Sequence, residues 1–257
     1  TSITGTGSTA SLVKIHGNTL INGGGSLNGS LEYCDADGVE TNYGSINTPA
    51  VLACNVYIAT SECNPQGNGS PQIADDDNDG VANDVDVYPN DPNASGASYY
   101  PASNQMATIA FEDLWPYAAD YDFNDLVVGY SYTMVTNANN DIVRVEGAFV
   151  TKAIGASFAN GFGVQLDCLP SAVASVSGNL LTRGIISESA NGTEQGQSKA
   201  TIIVFDNAFK TIKDVGGTRF VNTRKDESSK TPDTVNITIT FNNPIAQSQL
   251  GMAPFNP

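Results

Sequence analysis

Positive charge is what this chain has least of. Between Lys14 and Arg144 there is no lysine or arginine, and 11 basic residues face 27 acidic ones for a net charge of −16. Phosphate backbones are held by Lys/Arg patches, so this balance argues against a nucleic-acid partner. Histidine is nearly absent: His16 is alone, in a strand-like stretch with no nucleophile beside it, which removes a Ser-His-Asp machine or a His-ligated zinc. No apolar run has the length a bilayer span needs, so no membrane span is expected. The cysteines, Cys34, Cys54, Cys63 and Cys168, never fall in the CxxC spacing of zinc sites. In an exported protein they can form two disulfides by any of three connectivities, with Cys54–Cys63 the first local pair to test; unpaired thiols are the other reading. The sequence opens at Thr1 without Met or a charged-then-apolar leader, which reads as a mature chain after loss of an export signal. A secreted, extracellular or cell-surface location is therefore expected.

What is present is globular. With 40% hydrophobic and 15% charged residues, the chain can bury a core and is no disordered tail. Residues 1–63 form a Gly/Ser/Asn-rich β region of short apolar runs between Gly clusters, predicting hairpins or a short solenoid. Val51–Ala59 reads as a more buried strand. Residues 64–104 read as a linker that carries an acidic loop. From 105 to 257 the pattern has period two. Ala107, Ile109 and Phe111 alternate with small neighbours; Val143, Val145, Gly147 and Phe149 with Arg144 and Glu146. Phe162, Val164, Leu166 and Cys168 share a face, as do Val235, Ile237, Ile239 and Phe241. One buried face per strand predicts an antiparallel sandwich of jelly-roll type, and the class is all-β. A short helix is expected only at Asn207–Val215.

The acidic loop has the spacing of a calcium site. Asp75, Asp77 and Asp79 alternate, Gly80 follows, and Asp86 closes a twelve-residue frame. Calcium takes six to eight oxygens, and such loops supply them from positions 1, 3, 5, 7, 9 and 12 with Gly at 6. Val81 then offers its carbonyl and Asn83 its side chain. No amphipathic helix flanks the loop, so a conformational switch is not expected. With Pro89 and the run Tyr88-Pro-Asn-Asp-Pro-Asn93, residues 75–92 resemble a thrombospondin type 3 repeat, although Tyr88 stands where those repeats carry Cys. The resemblance implies a structural calcium binder of extracellular stalks.

A second acidic run follows. Phe111-Glu-Asp-Leu-Trp-Pro116 precedes Asp120-Tyr-Asp-Phe-Asn-Asp-Leu126. Crowded carboxylates are costly unless protonated, hydrogen-bonded or bridged by metal. Glu112, Asp113, Asp120, Asp122 and Asp125 are accordingly candidate Ca2+ ligands, with Phe111, Leu114, Tyr121 and Phe123 expected to pack inward. A hydrogen-bonded turn is the other reading. These two motifs and the closing Leu250-Gly-Met-Ala-Pro-Phe-Asn-Pro resemble the LruC domain of bacterial exported proteins, over about residues 105–257. That resemblance implies a surface location and further β-structure beyond Pro257, either cut away after export or supplied from elsewhere. A neighbour's Ser2–Ser11 segment is the expected donor, by strand addition.

Together these features predict a calcium-stabilised surface or matrix protein that self-associates, and not an enzyme. A surface adhesin or carbohydrate-binding module is the alternative, because Tyr99, Tyr100 and the aromatics at 115–121 suit glycans. A glycoside-active carboxylate pair is the remote one.

Overall fold

The computed structural model describes all residues but 1, 16, 17, 36, 37, 40, 72, 115, 118, 119 and 217–219, so His16 and Trp115 lie outside the described residues. The chain divides between Ile73 and Ala74 into two units. The acidic loop, assigned by sequence to a linker, lies within the second unit, as does a strand at 96–100 that pairs into its main sheet.

The first unit is a parallel β-solenoid. Its strands are β1 (Ser2–Gly5), β2 (Ser11–Ile15), β3 (Leu20–Ile21), β4 (Ser26–Gly29), β5 (Leu31–Asp35), β6 (Thr41–Asn42), β7 (Ser45–Ile46) and β8 (Val51–Leu52). They stack as β1-β4-β7, β2-β5-β8 and β3-β6, every pair parallel. Parallel neighbours cannot be joined by a two-residue turn, so the solenoid reading holds and the hairpin reading does not. Each circuit takes roughly twenty residues, the short end of known solenoid periods. Ile21, Leu27, Leu31, Tyr33 and Ala50 form the core. Ser2–Gly5, expected as a donated strand, is paired with Ser26–Gly29 of its own unit. Val51 and Leu52 are the only strand residues of the expected Val51–Ala59 strand, and both are exposed. They belong to the last circuit, with no strand stacked beyond them among the described residues.

The stacking also settles the cysteines. Glu32 pairs with Val51 and Tyr33 with Leu52, which carries Cys34 to Cys54 and closes a disulfide with Cα atoms 4.6 Å apart. Cys54–Cys63 does not form, nor does a second bridge: Cys63 is an exposed thiol and Cys168 a buried one.

The second unit is an antiparallel sandwich. Its strands are β9 (Gly96–Tyr100), β10 (Ala107–Phe111), β11 (Leu126–Thr136), β12 (Ile142–Ala153), β13 (Phe162–Gln165), β14 (Val173–Ser177), β15 (Thr201–Phe205) and β16 (Thr234–Ile245). Among the described residues the large sheet runs β10-β11-β12-β16-β14, with β9 also on β11, and β13-β15 make the small one. Rings hold the layers together: Phe162 of β13 lies 5.6 Å from Phe149 of β12 and 6.0 Å from Phe111 of β10. The alternation predicted for 162–168 and 235–241 is observed, with Phe162, Val164, Leu166, Cys168, Val235, Ile237, Ile239 and Phe241 all buried. At the start of β12 a register shift between Ile142 and Arg144 turns Ile142 inward in place of the expected Val143. The helix expected at Asn207–Val215 is one 3-10 turn, Ala208–Lys210, where the Asn207 side chain accepts the Phe209 N–H. Among the described residues the one α-helical turn is α1 (Gln247–Leu250), whose Leu250 is fully buried. No helix of the described residues is long and apolar enough to cross a membrane.

Candidate metal sites

Residues 75–86 fold by turning their own carboxylates onto their own backbone. Asp75, Asp77, Asp79 and Asp86 are used this way. Asp75 Oδ1 accepts the Asn78 N–H at 2.8 Å, Asp77 Oδ1 that of Asp79 at 3.2 Å, Asp79 Oδ1 that of Val81 at 2.8 Å, and Asp86 Oδ1 that of Tyr88 at 2.6 Å. Gly80, at φ +94°, turns the chain through the left-handed region as the spacing predicted, and its N–H donates to Asp75 Oδ2 at 3.1 Å. These bonds direct the remaining oxygens inward. Oδ2 of Asp77, of Asp79 and of Asp86 is buried without a hydrogen-bond partner.

An oxygen from each of Asp75, Asp77 and Asp79 lies within 4.8 Å of the others. Two oxygens on opposite sides of a calcium ion at about 2.4 Å each stand about that far apart. Burial raises the Asp77 pKa above its ordinary value, opposed by the Asp79 N–H and reinforced by the charges of Asp79, Asp86 and Asp75. Negative charge thus converges where nothing in the loop neutralises it. Asn83, expected as a ligand, turns its Oδ1 to the Asp76 N–H at 2.9 Å, and its own N–H binds the Ala74 carbonyl at 2.9 Å. Val81 is placed by its N–H, which the Asp79 carboxylate accepts.

The loop is fastened to the sandwich by a cation that sequence reasoning missed. Arg144 on β12 pairs with Asp91 at 3.1 Å and with Glu146 at 2.8 Å, and its guanidinium lies 5.0 Å from the Tyr88 ring centre. It is the first basic residue after Lys14, so the spacing of charges was the available signal. Val87 N–H to Ser95 and Ser95 N–H to Thr136, at 2.9 and 2.8 Å, complete the attachment.

The second cluster lies where β10 ends and β11 begins. Glu112 belongs to two groups of carboxylates, one with Asp113 and Asp125 and one with Asp120 and Asp122, each drawn within 4.8 Å. Asp125 is buried and accepts the Asp113 N–H at 2.9 Å. Gly155, after β12, donates to the Asn124 and Asp125 carbonyls at 2.8 and 3.2 Å. A Cβ there would overlap Asn124 Oδ1, so only glycine lets the two segments meet. Asp120 and Asp122 are exposed, and the Asn124 amide donates to Asp122. Glu112 Oε2, like the oxygens of the first loop, is buried without a partner. Leu114, Tyr121 and Phe123, expected in the core, are exposed, as is Tyr117. Where alternate carboxylates converge, the side chains between them must face out, and Tyr121 and Phe123 do so at φ 53° and 52°.

The second cluster has a pH dependence of definite sign. The hydrogen bond shared with Asp125, then burial and the Asp125 charge, push Glu112 up to about 7, against a bond from the Phe123 N–H. Asp113 is raised by burial first and the Asp125 charge second. A carboxyl that holds its proton more tightly when folded adds stability that is full below its unfolded value and lost as pH rises through the folded one. For Glu112 that window runs from 4.5 to about 7. Calorimetry on metal-free protein should show the melting temperature falling across it, with a shallower fall in Glu112→Gln. A level profile would remove the coupling.

Residues 140–257 match a family model described as Domain of unknown function (DUF4842). The match begins just before β12 and leaves out both acidic clusters. No curated protein and no solved structure matches the chain.

Proposed function

We propose that this protein is a calcium-stabilised structural component of a cell surface or extracellular matrix, that residues 75–86 hold a calcium ion, and that copies of it self-associate. The observation that carries the reading is the set of buried, unpartnered oxygens on Asp77, Asp79 and Asp86. Buried polar atoms are almost always satisfied, and each exception asks for a partner. All-oxygen donors without His or Cys favour a hard cation, and a loop of irregular backbone suits calcium better than the strict octahedron of magnesium. Glu112, shared by two carboxylate groups, supports further calcium at the second cluster. The Cys34–Cys54 disulfide supports an oxidising, extracellular setting. The resemblance to thrombospondin type 3 repeats and the LruC domain points the same way.

Calcium titration by calorimetry tests this directly. Asp77→Asn/Asp79→Asn should remove the ion held by the first loop, and Asp120→Ala/Asp122→Ala should reduce binding at the second cluster, each with an unchanged far-UV spectrum. Unaltered stoichiometry in the first variant would sink the loop assignment.

A second reading has one observation in its favour. Tyr117, Tyr121 and Phe123 are exposed on the loop that carries Asp120 and Asp122. Aromatic faces beside carboxylates are the equipment of a sugar-binding surface, and a glycan array with and without calcium separates this adhesin reading from the structural one.

A further inference from the structure

We infer that Asn22–Gly23 is a self-modifying site, at which the Asn22 side-chain amide is lost to water through a cyclic imide, and that the fold protects the chain's other Asn–Gly pairs from the same reaction. Neither calcium nor self-association enters this chemistry.

The Gly23 nitrogen bonds to Asn22 Cγ and passes its proton to Nδ2; the Cγ–Nδ2 bond breaks and ammonia leaves. Water then opens the ring at either carbonyl, giving aspartate or isoaspartate at position 22. No other reactant is needed. Glycine favours the closure because it has no Cβ to bar the approach and its backbone turns freely. The amide, for its part, must be free to swing onto the next nitrogen.

The sequence holds such pairs at Asn22, Asn28, Asn68, Asn160 and Asn191. All but the first are tied. Asn28 Nδ2 donates to Ser26 Oγ at 2.9 Å, and its Oδ1 accepts the Asn47 amide at 2.7 Å. Asn68 is buried; it donates to the Cys54 and Val56 carbonyls at 3.3 and 2.7 Å and accepts Lys14 Nζ at 3.1 Å. Asn191 donates to the Pro170 and Val173 carbonyls at 2.8 and 2.9 Å. It also accepts the N–H and hydroxyl of Thr193 at 3.2 and 2.8 Å. The Asn160 side chain bonds Asp113.

Asn22 is the exception. It is exposed, and among the described residues its side chain has no partner. It leads the turn after β3, where the Gly25 N–H donates to the Asn22 carbonyl at 2.8 Å, while the attacking Gly23 N–H bonds no carbonyl among the described residues. A Cβ on Gly23 would meet nothing nearer than Tyr43 O at 3.9 Å, so the corner is open. The reacting groups are adjacent in the chain and depend on neither end of the solenoid. Each hydrogen bond that must break first slows ring closure by up to about tenfold. Asn68 and Asn191 should therefore react more slowly than Asn22 by up to about a thousandfold. The product adds a negative charge and, as isoaspartate, one more backbone atom between Ile21 and Leu27 of the first unit's core.

Peptide mapping by mass spectrometry, after incubation of the whole folded chain at mildly alkaline pH, tests this. Asn22 should be lost first, as a pair of peptides one mass unit heavier that carry aspartate and isoaspartate. Gly23→Ala, for which the corner has room, should slow the loss several-fold with an unchanged circular dichroism spectrum. In guanidinium with the disulfide reduced, all the Asn–Gly pairs should react at like rates, because their ties are gone. Earlier loss at any of the other pairs, equal loss at all of them in the folded chain, or a folded-state order that persists in denaturant would each overturn the proposal. So would an Asn22 that stays intact in the folded chain while the denatured chain reacts to completion, or a Gly23→Ala variant that reacts as fast as the wild type.

Discussion

Stripping the protein of divalent cations is expected to lower the melting temperature of the second unit by about 5–10 °C. An ion that binds the folded chain and not the unfolded one stabilises by about 2.7 kcal/mol at a hundredfold excess over its Kd. In a unit of this size each kcal/mol moves the midpoint by about 2–4 °C. The first unit should be unmoved, since the carboxylate clusters among the described residues all lie in the second. A crossing pattern gives the prediction its edge. Without calcium, Asp77→Asn/Asp79→Asn should melt above the stripped wild type, because neutral amides end the repulsion yet still accept the Asp79 and Val81 N–H groups. With calcium the order should reverse. Were the aspartates merely capping backbone groups, the two would melt alike whether or not calcium was present, and coincident melts with and without chelator would refute the metal reading. Scanning calorimetry resolving both units reads all of these.

How far the sequence foretold this structure depends on how local each determinant is. The turn of the acidic loop was legible because its geometry is made by its own backbone, where alternate aspartates and Gly80 suffice, whereas the turn of Asn83 onto the Asp76 N–H was not. The sandwich strands were legible because one buried face imposes period two over long runs such as β16. The solenoid was legible only as one of two options. Strands of two to five residues with Gly, Ser and Asn at the corners look the same whether the next strand turns back or circles on. Its disulfide was hidden for the same reason. Cys63 is nearer to Cys54 along the chain, but the third circuit brings Cys54 back over Cys34. At the second cluster the acids were found and the aromatics misplaced. Both sets cannot face inward from alternating positions, and the choice falls to Gly155 and Asn160, whose side chain bonds Asp113. Neither is near in sequence.

Breaking the Cys34–Cys54 bridge should have the largest effect on the first unit. Among the described residues five buried apolar side chains make its core, and its strands are short. At the usual margin of about 0.05–0.15 kcal/mol per residue, a unit spanning residues 1–73 has about 4–11 kcal/mol in hand. A bridge across a sequence separation of 20 restricts the unfolded chain by about 3 kcal/mol in the chain-entropy treatment. Its removal therefore takes about a quarter or more of the total and should lower the first unit's midpoint by roughly 12–24 °C. Cys34→Ala/Cys54→Ala and reduction of the wild type should agree, and the second unit's transition should stay in place. The decisive control is Cys63→Ser. With Cys63 an exposed free thiol, this variant should melt like the wild type. A drop as large as that of the double variant would mean that Cys54 pairs with Cys63 instead, and that the circuits are not stacked in the register that brings Cys34 to Cys54.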